Sequence, residues 1–277
     1  MVSGAPLIAV SSWSIHRLIG VTYANGPTDG FSSVPTETFG PPQISIYNLP
    51  FALASRGYNR VELCHFHLQS IEPQFLRELG DVFRRHNVVI QTLLIDDGDI
   101  TNPETAKRDL AWIAKWIGAA ADLGAENVRI IAGKAPPTDD ALTRALTGLT
   151  QLATLAMDRG VRAVTENWFD TLSTPKAVHQ ILDGVGPILG FLADTGNWGG
   201  PTKYQDLQSI FARAELCHAK ASFQPGQKMD QPDFELCLSA AKAANYQGPM
   251  TLIFSDDGDE WRGLAQERNV VTRYFSV

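Results

Sequence analysis

Residues 88–131, VVIQTLLIDDGDITNPETAKRDLAWIAKWIGAAADLGAENVRII, contain a strand, a helix and a second strand in succession. The apolar runs 88–94 and 127–131 predict buried strands. Between them the spacing of apolar residues predicts a helix over 103–124, whose buried face consists of Ala106, Leu110, Ile113, Ile117, Ala120 and Leu123. The helix is predicted to end at Gly124, because a glycine commonly follows the last residue of a helix. This order of elements predicts two parallel strands joined by a right-handed crossover.

The same unit recurs along the whole chain of 277 residues. Eight strands are predicted, at 7–10, 60–64, 88–94, 127–131, 162–166, 188–193, 216–221 and 250–254. Eight strand–helix units favour a single α/β domain over residues 1–277, a closed (β/α)8 TIM barrel. A doubly wound open sheet is the alternative. Residues 17–42, rich in Gly, Pro, Ser and Thr, predict a long loop after the first strand, either a lid over the barrel mouth or a disordered surface insertion.

Composition narrows the classes of function and partner. The net charge is −7, from 23 basic and 30 acidic side chains, which argues against a nucleic-acid partner. No apolar stretch is long enough to span a bilayer, and the first residues lack the pattern of a signal peptide. The three cysteines are too few for a disulfide framework, so we expect a cytoplasmic protein.

Polar residues follow three consecutive predicted strands. Glu166 ends the fifth, Asp194 ends the sixth, and His218 lies on the seventh. In a barrel of this kind chemistry takes place at the carboxyl ends of the strands, so these three side chains converge. Their oxygen and nitrogen atoms suit Mn²⁺, Mg²⁺, Zn²⁺ or Co²⁺. Each also has a structural alternative, namely an ion pair for Glu166, a turn for Asp194 and a core position for His218.

Further strand-end residues are candidates for catalysis. Lys220 follows His218 by two positions and faces the same side of the strand, where it would contact substrate oxygens or form an ion pair. His67 follows the second strand and is a weaker candidate. Asp96 and Asp97 follow the third strand and are read as a solvated turn.

Aromatic residues at the strand ends suggest a sugar ligand, because aromatic faces pack on the C–H surface of sugar rings. The alternative is that they pack beneath the loops. With two neighbouring amides, the candidate substrate contacts are Trp13, Phe66, Asn167, Trp168, Asn197, Trp198 and Phe254.

The motifs Glu166-Asn167, Asp194-Thr195-Gly196-Asn197 and His218-Ala219-Lys220, in this order, resemble those of the xylose isomerase-like TIM barrels. These include the sugar phosphate isomerases and epimerases and, more distantly, endonuclease IV. The resemblance covers the chain from residue 60 onward. It implies a divalent metal held by Glu166, Asp194 and His218.

The resemblance also implies a fourth ligand, a glutamate at the end of the eighth strand. The best match for it is Phe254, which cannot bind a metal. Asp256 is the candidate replacement, and Glu260 would need the loop to fold back. Without a second glutamate, epimerisation by two bases is in doubt. A one-base isomerisation or elimination remains, with Glu166 as the base and His67 or Lys220 as its partner.

Three functions are therefore open. The first is a metal-dependent sugar isomerase, epimerase or lyase acting on a small sugar, and the second is a barrel that binds a sugar-like ligand without metal catalysis. The third is an abasic-site nuclease, against which the acidic charge and the six histidines argue. Whether the chain forms a homo-oligomer is open.

Overall fold

Eight parallel strands close into a barrel in the computed structural model, which describes residues 6–276. The strands are β1 (Ile8–Ser11), β2 (Arg60–Cys64), β3 (Val89–Leu94), β4 (Asn127–Arg129), β5 (Arg162–Glu166), β6 (Leu189–Asp194), β7 (Leu216–Lys220) and β8 (Met250–Ile253). Each strand pairs with the next one along the chain, and β8 pairs with β1 to complete the circle. The predicted (β/α)8 barrel is confirmed, and the open sheet is excluded.

Helices surround the barrel. They are α1 (His16–Ile19), α2 (Leu49–Ala54), α3 (Pro73–Arg85), α4 (Ala106–Leu123), α5 (Asp139–Asp158), α6 (Pro175–Val185), α7 (Lys203–Phe211), α8 (Gln231–Ala243) and α9 (Glu260–Phe275). The helix predicted over 103–124 is α4, and Gly124 ends it in the left-handed conformation that glycine adopts without strain. Thr138 begins α5 by accepting a hydrogen bond from the Ala141 N–H at 3.2 Å.

Alternation along each strand separates two buried layers. Outward-facing residues such as Leu252 join the main core between strands and helices. Inward-facing Val164, Leu192 and Leu216 form a small apolar cluster of their own inside the barrel. The next inward positions toward the carboxyl ends of β5, β6 and β7 therefore face the barrel mouth.

The loop at 17–42 is attached to the body of the barrel. The buried Asn25 side chain donates to the carbonyl of His65 at 3.3 Å, and Trp112 Nε1 donates to the Asn25 carbonyl at 2.8 Å. The Phe39 ring packs edge-on against Trp13, with 5.8 Å between the ring centroids. These contacts do not fit a disordered insertion, whereas the function of the loop as a lid stays a prediction.

Two further features concern the cysteines and the hydropathy of the helices. Cys64, Cys217 and Cys237 are buried and free. Between residues 6 and 276, no helix is both long enough and apolar enough to cross a membrane.

We predict that Gly263→Ala destabilises the fold. Gly263 lies on α9 beneath the fully buried Phe254 ring, and an added Cβ would overlap that ring. Overpacking of this kind costs about 1–3 kcal/mol in the free energy of unfolding, measured by urea denaturation. The control is Gly118→Ala on α4, where the Cβ would meet only the end of the Arg159 side chain at 3.3 Å. Equal stabilities of the two variants would contradict this packing.

Candidate functional site

Glu166, Asp194 and His218 converge at the mouth of the barrel, as the sequence predicts. His218 Nδ1 lies 3.3 Å from Glu166 Oε1 and 3.4 Å from Asp194 Oδ2, and all three side chains are buried. One ligand atom from each residue lies within 4.8 Å of the other two, so a single ion could contact all three. Within residues 6–276 they form the only cluster of three or more such groups with this geometry.

Neighbouring side chains hold the two carboxylates in place. Asn197 Nδ2 donates to Glu166 Oε1 at 2.9 Å, and the Gly196 N–H donates to Asp194 Oδ1 at 2.6 Å. The buried Asn167 amide bonds both the N–H and the carbonyl of Asp194, at 2.7 and 3.0 Å, and so joins the ends of β5 and β6. Asn197 lines the cavity, whereas Asn167 lies behind it in a structural role.

The cluster requires positive charge. Burial alone would lower the pKa of His218, but the carboxylates of Glu166 and Glu62 raise this pKa well above its usual value. Burial would likewise raise the pKa of Asp194, but His218 and then Lys220 lower it. Buried carboxylates without a cation would be costly, so the arrangement suits a bound cation or an imidazolium.

The residues present fit a divalent metal. Glu166 Oε2 is buried and has no hydrogen-bond partner among the described residues. Arg129 Nε lies 3.1 Å away, but its N–H is not directed at that oxygen, so the two groups form an ion pair without a hydrogen bond. Two carboxylates and one imidazole are ligands that Mn²⁺, Mg²⁺, Zn²⁺ and Co²⁺ accept. The ion pair expected as an alternative for Glu166 therefore exists beside the candidate metal site.

The three groups open into a cavity of about 180 Å³. Of the residues predicted from the sequence, those that line it are Trp13, Phe66, Glu166, Trp168, Asp194, Asn197, His218 and Lys220. Those that do not are His67, Asn167, Trp198, Phe254 and Asp256. Trp198 instead donates its indole N–H to the carbonyl of Leu172 at 3.2 Å and packs against the core.

Lys220 brings a cation to the cavity. Its side chain lies against Gly196, where an added Cβ would come within 2.6 Å of Lys220 Cδ. Within the described chain, Nζ makes neither an ion pair nor a hydrogen bond. The ammonium group is therefore free to contact a ligand.

His67 is buried away from the cavity. Its Nδ1 lies 2.9 Å from Ser12 Oγ, and burial lowers its pKa to about 3. The ring is therefore neutral near pH 7. The structure does not place it where a sugar in this cavity would exchange a proton with it.

Sequence reasoning missed a charged pair beside the site. Arg129, at the end of β4, lines the cavity with Asp96, and the two form an ion pair. Burial opposes ionisation of Asp96, but Arg129 and His65 bring its pKa down to about 2. Asp96 is therefore not a solvated turn residue. An arginine inside the predicted strand 127–131 was the signal, because a buried charge needs a partner.

Comparison with known proteins places the fold in a family. Residues 51–273 match the family model described as the xylose isomerase-like TIM barrel. The chain belongs to this family. No curated protein matches it.

Solved structures of this fold are similar over their full length. D-allulose 3-epimerase from Methylomonas sp. is 15% identical, with a TM-score of 0.69 over 99% of this chain and 100% of that one. A xylose isomerase-like TIM barrel protein from Mycobacterium smegmatis, solved with magnesium, is 15% identical, with a TM-score of 0.66 over 98% and 97%. The 3-keto-D-glucoside 4-epimerase from E. coli is 13% identical, with a TM-score of 0.66 over 96% and 98%. These likenesses concern the fold.

The residue of β8 that lines the cavity is not the one that the sequence match indicated. The match indicated Phe254, whereas the cavity residue is Ile253, which carries no carboxylate. On β8, Thr251 and Ile253 face inward, and Ile253 lines the cavity. Phe254 has the opposite parity and points outward against Phe223 and α9. The residue at the cavity in this xylose isomerase-like barrel is therefore Ile253, and Phe254 packs in the core.

The acidic residues after β8 accept hydrogen bonds from backbone N–H groups outside the Glu166, Asp194 and His218 cluster. Asp256 Oδ2 accepts a hydrogen bond from the Phe223 N–H at 3.1 Å, and Asp256 is not part of the metal-ligand cluster. Glu260 accepts hydrogen bonds from the N–H groups of Arg17 and Leu18 at 2.9 and 3.0 Å, at the start of α1. Asp256 as a ligand therefore stays a prediction, and the structure does not bring its carboxylate into the cluster.

We predict that Ile253→Glu strengthens metal binding. A carboxylate there faces the cavity, and each added charged oxygen ligand raises affinity, so Mn²⁺ should bind about tenfold tighter in isothermal titration calorimetry.

The matched variant is Phe254→Glu. Its carboxylate would enter the core against α9, so we expect it to lower stability without strengthening Mn²⁺ binding. Tighter binding by Phe254→Glu than by Ile253→Glu would overturn this assignment of the strand register.

Proposed function

We propose that this protein is a metal-dependent enzyme of the sugar isomerase and epimerase type, acting on a small sugar or sugar derivative. The observation that carries the proposal is the convergence of Glu166, Asp194 and His218 in a cavity of sugar-binding character. All three side chains are buried, and one ligand atom from each lies within 4.8 Å of the other two. Membership of the xylose isomerase-like family supports this function. Metal binding by this chain is a further part of the proposal.

A sugar substrate is supported by the walls of the cavity. Trp13 and Phe66 stand edge to face on one side, with ring centroids 6.3 Å apart, and Trp168 lines the cavity beside Arg129. Such aromatic faces pack on the C–H surface of a sugar, while the polar groups orient its hydroxyls. Two proteins of similar structure are sugar epimerases, the D-allulose 3-epimerase and the 3-keto-D-glucoside 4-epimerase, which supports this substrate class.

The chemistry follows from the positions of the side chains. A divalent ion held by Glu166, Asp194 and His218 would polarise a sugar carbonyl or hydroxyl and so acidify the neighbouring C–H. Glu166 lines the cavity and takes up the proton on its carboxylate. Lys220 donates hydrogen bonds to a substrate oxygen and offsets the negative charge that develops there.

Glu166 is the best candidate for a base among the described residues that line this cavity. β8 contributes Ile253 where a second glutamate would be needed, and Asp96 is a weak base because Arg129 and His65 outweigh the effect of burial and lower its pKa to about 2. Proton removal and return therefore occur on one face of the substrate. This favours aldose–ketose isomerisation or β-elimination over two-base epimerisation.

A second candidate is a barrel that binds a sugar-like ligand without metal catalysis. The ion pair between Arg129 and Glu166 favours it, because a guanidinium already compensates part of the charge that a metal would neutralise. The apolar Ile253 at the cavity points the same way.

The test is proton transfer to carbon in D₂O. Protein loaded with Mn²⁺ should introduce deuterium next to the carbonyl of a ketose or keto-glycoside from a screening panel, detected by NMR. Glu166→Gln should lower the rate of deuterium incorporation by about 10²–10⁴-fold, because it removes both a candidate metal ligand and the base. Lys220→Met should slow the reaction while metal stays bound.

The control is Glu267→Gln on α9. Burial raises the pKa of the Glu267 carboxyl well above its usual value, so an amide resembles the neutral native group and the rate should hold. Inversion at the deuterated carbon would contradict the one-carboxylate mechanism. Ligand binding without deuterium incorporation would favour the second candidate.

A further inference from the structure

Glu62 lies inside the barrel, behind the candidate metal site. It is on β2, its exposed fraction is 0%, and it does not line the cavity. Its Oε2 lies 2.7 Å from Nε2 of His218, the ring nitrogen that faces away from Glu166 and Asp194. A fully buried carboxylate is costly unless its environment has a use for the charge.

The other oxygen of Glu62 is surrounded by donors. Oε1 accepts hydrogen bonds from Gln91 Nε2 at 3.0 Å and from Thr92 Oγ1 at 2.8 Å. The orientation of the Gln91 amide is determined by Arg60, whose Nε donates to Gln91 Oε1 at 3.0 Å and cannot accept. Gln91 therefore turns its NH₂ group toward Glu62, and the carboxylate acts only as an acceptor.

This network determines which tautomer the neutral His218 ring adopts as a metal ligand. Because Glu62 Oε2 accepts, His218 Nε2 carries the hydrogen, and Nδ1 remains as the atom that faces Glu166 and Asp194. A hydrogen bond from the far nitrogen of a ligand histidine to a carboxylate also holds the ring plane and raises the basicity of the ligand atom. The chain of contacts runs from Arg60 through Gln91 and Glu62 to His218.

We propose that Glu62 is a positioning residue that orients His218 for metal binding through Nδ1. The inference rests on the proposed function, since it assigns a role toward the metal that Glu166, Asp194 and His218 would hold. Glu62 would thus support the candidate metal site from inside the barrel, through its contact with His218.

A glutamine cannot replace Glu62 without loss. If its oxygen faces His218, its NH₂ group faces the donors of Gln91 and Thr92. If its oxygen faces those donors, its NH₂ group faces His218 Nε2–H. An aspartate keeps the charge but is one methylene shorter, so it leaves His218 Nε2 without a close acceptor.

The experiment measures Mn²⁺ affinity by calorimetry on the full chain after chelator treatment and dialysis. Glu62→Gln and Glu62→Asp should bind Mn²⁺ about 10–100-fold more weakly than the native protein. The control is Asp109→Asn. Asp109 lies on α4, outside the cavity, and its buried carboxylate accepts a hydrogen bond from the Asp99 N–H at 2.8 Å. Asp109→Asn should bind Mn²⁺ as the native protein does.

Equal affinity of folded Glu62→Gln and native protein would overturn the inference. Histidine ¹⁵N NMR of the metal-free native protein, recorded at a pH high enough that the His218 ring is neutral, gives a reading that needs neither metal nor a folded variant. We expect the hydrogen of His218 on Nε2, with the proton shifted downfield by the carboxylate. If the native protein binds no metal, the proposed function fails, while this spectrum still tests Glu62. A His218 without hydrogen on Nε2 would overturn the positioning role.

Discussion

In a closed parallel barrel, every second residue of each strand must point inward, and this constraint determines what the site contains. It places Val164, Leu192 and Leu216 in the interior and the next inward residues, Glu166, Asp194 and His218, at the mouth. The same alternation brings Lys220 into the cavity. On β8 it selects Ile253 and excludes Phe254, so the site has three candidate ligands where the family resemblance implies four.

The second determinant is charge in a buried space. Four carboxyl groups lie at or near the cavity, and each has Arg129 or His218 beside it. They belong to Glu62, Asp96, Glu166 and Asp194. Arg129 serves Asp96 and Glu166, and His218 stands between Glu62 on one side and Glu166 and Asp194 on the other. A buried ion pair that loses one partner is strongly destabilising, so these groups depend on one another. A divalent ion would join an arrangement that already requires positive charge.

Most of the fold was predictable because its signal is local. Strand and helix periodicity, repeated eight times, indicates a barrel, and a helix end such as Gly124 is visible in the sequence. The three candidate ligands were predictable because they lie at equivalent strand ends. The pairing of Asp96 with Arg129 was not, since it joins different strands through side chains whose direction the sequence does not show. The role of Ile253 was missed because a one-residue shift in register exchanges the two faces of a strand.

Elemental analysis tests the central claim most directly, that Glu166, Asp194 and His218 form one metal centre. Protein purified without added metal and without a metal-affinity tag is compared with Asp194→Asn and with Asp256→Asn, whose carboxylate lies outside the cluster. We expect about one divalent ion per chain in the native protein and in Asp256→Asn, and only traces in Asp194→Asn. Native protein that stays free of metal even after incubation with Mn²⁺, or Asp194→Asn that retains a full complement, would contradict the account.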